Sequence, residues 1–151
     1  MALPKIPLID IGPGGAETLV DKARPQAVAL LVGARQRYTR TALRVADAAG
    51  RAWLKRCVSP YTREIEAVAA RLGVGALGLN LSFEWCCTGL VEPDPGGAGA
   101  PLVRVLDWQM RGMGSSVVVA RAEAAAGLYY SVTWPGAVGV LTAMAPGRFA
   151  A

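Results

Sequence analysis

The sequence predicts an α+β chain, with a helical first segment over residues 1–86 and an antiparallel sheet over residues 87–151. Three observations carry this expectation. Apolar residues recur at helical spacing up to about residue 86, and β-branched and aromatic residues crowd into short runs after it. The clearest helix start and stop residues, Ser59-Pro60 and Gly73, fall in the first segment. Turn-forming clusters punctuate the second at short intervals, too short for the crossovers that parallel strands need.

In the first segment, Leu19, Val20, Ala23, Ala27, Leu30 and Leu31 predict a helix over about 16–33, broken or restarted at Pro25. GPGG at 12–15 follows a short apolar run without the Lys-Ser/Thr of a phosphate loop, so it reads as a turn. A second helix is expected from Thr39 to Cys57, with Leu43, Ala46, Ala49, Gly50, Trp53 and Leu54 near one face. A third begins at Ser59 as N-cap with Pro60 at N1, and Ile65, Val68, Ala69 and Leu72 form its apolar stripe. Gly73 is placed to end it, and a fourth helix follows over about 75–84.

The strands expected next are CTGLVE, LVRVLDW, SVVVARA, LYYSVTW and VGVLTAM. The Pro/Gly/Ala-rich stretch 92–101 reads as a long hairpin loop between the first two. Helices on one side of a five-stranded antiparallel meander leave its other face open. Strands such as SVVVA are apolar on both faces, so a covering layer is expected from further chain or from a partner.

Composition narrows the function classes. At 151 residues, 53% hydrophobic and 18% charged, the chain is long enough for one packed domain and too apolar for disorder. No run approaches the length of a membrane span, and the start lacks the apolar core of a signal peptide, so a cytoplasmic location is expected. Three cysteines, an odd number, argue against a disulfide framework. The whole net charge of +5 lies before residue 87. Arg35, Arg37, Arg40, Arg44 and Arg51 carry the spacing of solvated helix faces, so no nucleic-acid partner is expected. The tryptophans Trp53, Trp85, Trp108 and Trp134 read as core or site walls. Met110 and Met113 read as core filler or as the lining of an acyl pocket.

The stretch SFEWCCTGL at 82–90 raises a sharper question, because Cys86 and Cys87 adjoin in a chain with no histidine. Both can be small buried hydrophobes. Adjacent cysteines lack the spacing of a zinc site, no C-x-x-C is present for thioredoxin-like exchange, and a Cys–His pair is excluded. No cofactor or metal is expected. One nucleophile class needs no histidine. When the peptide bond before a Cys is cut, the freed α-amine is itself a base, with an ordinary pKa of about 7.7–8.0. Cys87 stands where such a residue belongs, at the head of a strand after a helical segment.

The run PYTREIEAVAARLGVGALGLNLSFEWCCTGLV, then Arg104-Val105-Leu106-Asp107-Trp108, then Thr133-Trp134-Pro135-Gly136, resembles the acid ceramidase family of N-terminal-nucleophile hydrolases. That family includes N-acylethanolamine-hydrolysing acid amidases and is choloylglycine hydrolase-like in type. The resemblance covers about residues 60–151. It implies an αββα sandwich of which only part is present, with 1–86 as pro-segment and 87–151 as the start of the catalytic sheet. It also implies hydrolysis of a linear N-acyl amide through a thioester on Cys87. Arg104 and Asp107 match the charged pair beside the nucleophile: Asp107 would orient the α-amine, and Arg104 would act on the substrate or the cleaved end. Positions i and i+3 of a regular strand lie on opposite faces, so the two meet only where the strand bends, bulges or ends. The family's oxyanion-hole asparagine has no counterpart here, since Asn80 precedes the nucleophile. The resemblance therefore implies a front part whose missing half, or a partner chain, covers the sheet. Acyl transfer on the same fold and a non-catalytic sheet-pairing module remain the alternatives.

Overall fold

The computed structural model describes residues 5–81, 86–92, 96–97, 99–107, 110 and 112–151, and of Cys86, Cys87, Leu106 and Asp107 it describes the backbone alone. The chain is α+β. A strand β1 (Leu8–Gly12) leads into helices α1 (Gly15–Lys22), α2 (Arg24–Arg37), α3 (Arg40–Arg56), α4 (Thr62–Leu72) and α5 (Ala76–Asn80). Strands β2 (Cys86–Val91) and β3 (Leu102–Asp107), a short α6 (Met113–Ser116), then β4 (Val118–Ala124), β5 (Gly127–Thr133), β6 (Thr142–Ala145) and β7 (Phe149–Ala150) follow.

The helices form where the local signals are strongest. Pro25 sits in the first turn of α2, where its missing N–H costs nothing, and the break falls at Ala23 as expected. Thr39 caps α3, its Oγ1 accepting the Ala42 N–H at 3.1 Å. Gly73 ends α4 at φ +81, a conformation that favours glycine. The start of α4 differs from expectation. Its N-cap is Tyr61, and Ser59 instead organises the preceding turn, accepting from Tyr61 N–H and, through its carbonyl, from the Thr62 hydroxyl. The fourth helix is shorter than 75–84; residues 82–84, like Trp85 and Trp108, lie outside the described residues.

On α3 the buried stripe is Leu43, Asp47, Gly50 and Leu54, at i, i+4, i+7 and i+11. Ala46, Ala49 and Trp53, expected near that face, are exposed instead. Pattern reading passed over Asp47 because a buried carboxylate breaks the apolar rule. The group is satisfied: Oδ2 accepts the Gly75 N–H and Oδ1 the Gly78 N–H, both at 2.8 Å. Asp47 thereby ties α3 to the start of α5, where open N–H groups attract an anion. Gly78 allows the close approach, because a Cβ there would stand 2.9 Å from the Ala46 Cβ.

The sheet departs from a single meander in two ways. Its five strands run β1-β4-β5-β6-β7, and β1 joins parallel to β4, so the sheet is mixed. The first segment is therefore not wholly helical; it contributes an edge strand to the sheet of the second. Strands β2 and β3 form a separate antiparallel hairpin. Strand β6 keeps only the last part of VGVLTAM, and the preceding residues run irregularly, with Gly139 at φ +88.

One face of the larger sheet packs on the helices. Val118, Ala120 and Ala122 of β4 meet Ile11, Leu19 and Ala23, all buried. Each large side chain so covered contributes about 1.5–3 kcal/mol. The opposite face carries the Asp10–Arg121–Glu123 ion-pair chain near β1. Toward β6 it exposes Val132 and Met144. That face is thus charged at one end and apolar at the other.

Candidate functional site

The hairpin ladder pairs Cys86 with Asp107, Cys87 with Leu106, Gly89 with Arg104 and Val91 with Leu102, without a bulge. Paired residues share a face, and faces alternate along each strand. Positions 87, 89, 91, 102, 104 and 106 therefore lie on one face of the hairpin, and positions 86, 88, 90, 103, 105 and 107 on the other. Leu102 and Arg104 of the first set are half-buried and turn toward the larger sheet, although Gly89 and Val91 on the same face are exposed; Thr88, Leu90, Val103 and Val105 of the second, outer set are all exposed.

The register brings positions 87 and 104 together on the inner face, diagonal neighbours about 7–8 Å apart. It sets position 107 on the other face, at the last residue of β3 and directly opposite position 86. The side chains of Cys87 and Asp107 lie outside the description. The Cys86–Cys87 peptide is thus flanked across the ladder by Leu106 and Asp107.

Arg104 reaches from the hairpin to the larger sheet, where its Nη1 donates to Thr142 Oγ1 at 3.2 Å. The two surfaces enclose a cleft of about 410 Å³. Apart from Arg104 and Thr142 its walls are mostly apolar: Leu102, Met113, Val117, Val132, Trp134 and Leu141. Trp134 Nε1 donates to the Met113 carbonyl at 3.1 Å, which pins α6 against the end of β5 and shapes one wall. Met113 is buried beside Leu30 and Ala34 and also lines the cleft; Met110 lies in the same core cluster and lines a second pocket with Leu30, Asn80 and Trp134.

Asn80 anchors the element that precedes the hairpin. Its Nδ2 donates to the carbonyls of Ala76 (2.9 Å) and Gly136 (2.8 Å), and its Oδ1 accepts the Val138 N–H (2.8 Å). All three bonds are part-buried and none is made to the cleft. They fix the Trp134–Val138 turn, hence the Trp134 wall, to the end of α5. Gly136 completes this turn at φ +104, close under Leu72.

Sequence reasoning singled out Arg104, Met113 and Trp134 but missed Leu102, Val117, Val132, Leu141 and Thr142, because the cleft joins elements that meet only in three dimensions. Among the local signals, TWPG supplies Trp134 and the turn held by Asn80. Among the described residues no three His, Cys, Asp or Glu side chains cluster as a metal site would need. Among them, too, no helix is long and apolar enough to cross a membrane.

Compared with family models and with curated proteins, the sequence matches none of either.

Proposed function

We propose that this chain carries the nucleophile-bearing part of an N-terminal-nucleophile amidohydrolase, in an αββα-type sandwich, acting on a linear N-acyl amide. The observation that supports it most is the hairpin register. It sets Cys87 near the head of β2, on the same face as Arg104, and Arg104 lines an apolar cleft large enough for an acyl group.

In this reading the chemistry runs in two stages. First, the Cys87 thiol adds to the Cys86 carbonyl carbon. The peptide C–N bond breaks, the α-amine of Cys87 takes up a proton, and a thioester joins Cys86 to the Cys87 sulfur. Water hydrolyses that thioester, leaving a carboxylate on Cys86 and a free thiol on Cys87. In the second stage the α-amine accepts the thiol proton, and sulfur attacks the substrate's amide carbon. The amine leaves with a proton, and water releases the acid.

Arg104, as a cation at an otherwise apolar wall, suits the carboxylate that cleavage leaves or the polar end of the substrate. Asp107 stands opposite Cys86 in the ladder, on the other face from position 87, and in this reading its carboxylate would orient the new ammonium group once the peptide is cut.

Fluorogenic N-acyl amides test the proposal. With the covering half supplied as further chain or as a partner, turnover is expected from the wild type, background rates from Cys87→Ala, and at least about a tenfold loss from Arg104→Ala. Turnover that survives Cys87→Ala refutes the assignment. A second reading, a sheet-pairing module, draws on the exposed Leu90, Val103 and Val105 of the hairpin's outer face. It predicts an oligomer by light scattering that Cys87→Ser leaves intact.

A further inference from the structure

Strand β5 has a second hollow behind it. Val132 faces the cleft that Arg104 lines, while Tyr129, Ser131 and Thr133 face the helices, because side chains alternate along a strand. Their ladder partners on β4 are Ala122, Ala120 and Val118, and Ala143 of β6 stands beside Ser131. Small residues on adjacent strands leave a space of about 270 Å³ between this face and the first turns of α1 and α4. Tyr61 and Val140, both exposed, stand at its opening.

Two features of this space go beyond packing. Thr133 is 5% exposed and lines it, and its Oγ1 has no hydrogen-bond partner. A valine would fill the same place without burying an unserved hydroxyl, which is costly. The second feature is Glu64, half-buried on the same wall. Its Oε1 accepts the Ala16 N–H at 2.7 Å, at the start of α1, which leaves Oε2 to accept from a ligand.

Charge and hydrogen-bonding capacity choose that ligand. Among the described residues that line the space, Glu64 is the one charged group. The N–H end of α1, which by itself would draw an anion, is already answered by this carboxylate. A carboxylate only accepts, a hydroxyl donates or accepts, and an ammonium only donates. The floor of Ile11, Leu19, Ala120 and Ala122 is apolar and suits a short carbon chain.

We infer that this space binds a small primary amine whose short carbon body carries a second hydrogen-bonding group. The ammonium donates to Glu64, the body lies on the alanines, and the far group bonds to Thr133 Oγ1. The site lies across β5 from the Cys87 cleft and does not depend on the amidase reading.

NMR titration of the intact chain tests it with terminally substituted four-carbon probes: aminobutanol, butanediol and hydroxybutyrate. Saturable binding of aminobutanol is expected, at least about tenfold tighter than butanediol, with none for hydroxybutyrate. Glu64→Gln keeps an acceptor for the Ala16 N–H but removes the charge, and should bring aminobutanol down to the level of butanediol. Thr133→Val keeps the shape. It should weaken aminobutanol about three- to tenfold, while the urea midpoint stays level with wild type or rises. That midpoint separates a ligand-binding hydroxyl from a structural one, whose loss would lower it. The inference is overturned if aminobutanol gives no saturable shifts, the mark of a space that holds water alone, or if butanediol or hydroxybutyrate binds as tightly. It is also overturned if Glu64→Gln or Thr133→Val binds aminobutanol as wild type does, or if Thr133→Val lowers the midpoint.

Discussion

Replacing Asn80 by alanine removes three hydrogen bonds at once, to Ala76 O, Gly136 O and from Val138 N–H. The Ala76 carbonyl lies in α5, where the loss is the mildest. The Gly136 carbonyl and the Val138 N–H lie in a turn outside regular structure, part-buried, and lose a partner there. Neutral bonds contribute about 1 kcal/mol each, and a buried group left without a partner costs about 1–3 kcal/mol. With partial exposure tempering the second figure, Asn80→Ala should lower stability by about 2–4 kcal/mol.

Asn80→Asp is more diagnostic. A carboxylate there faces two carbonyl oxygens that it cannot serve as donor, so burial and repulsion raise its pKa in the folded chain. Stability is then fully present below the ordinary carboxylate pKa and is lost as pH rises through the raised one. Urea unfolding followed by circular dichroism at several pH values reads both effects. An Asn80→Ala variant within about 0.5 kcal/mol of wild type would refute the role given to this side chain.

Two further changes probe the frame around the site. Asp47→Ala removes the acceptor of two buried or part-buried N–H groups and should cost about 3 kcal/mol by urea unfolding; a loss under about 1 kcal/mol would contradict the capping account. The Asp10 carboxyl is held below its ordinary value, first by the Gly12 N–H and then by the neighbouring Arg121 guanidinium. Its contribution is present above the ordinary carboxylate pKa and lost as pH falls through the lowered one. Asp10→Asn should therefore flatten the acid limb of the stability profile, and an unchanged limb would count against that link.

How much of this was legible in the sequence varies by element. Thr39, Pro25 and Gly73 marked helix ends correctly, because capping and proline sterics act within a few residues. Strands β3, β4 and β5 were visible from their side-chain types. Strand β1 was not: LIDIG is five residues long, and its partner in β4 lies more than a hundred residues away, so nothing local announces the pairing. The buried Asp47 was invisible for the same reason, since its two donors belong to another helix. At the candidate site, alternation along Arg104-Val105-Leu106-Asp107 already put Arg104 and Asp107 on opposite faces, and the unbroken ladder keeps them there. What the sequence could not supply was the cleft, whose walls come from β3, α6, β5 and the approach to β6.

The central claim is that Cys87 becomes an N-terminal nucleophile. Intact mass spectrometry of the purified chain, held from mildly acidic to neutral pH, tests it most directly. The account predicts two species, residues 1–86 and 87–151, that are absent from Cys87→Ala. A single uncut mass across that range would contradict it.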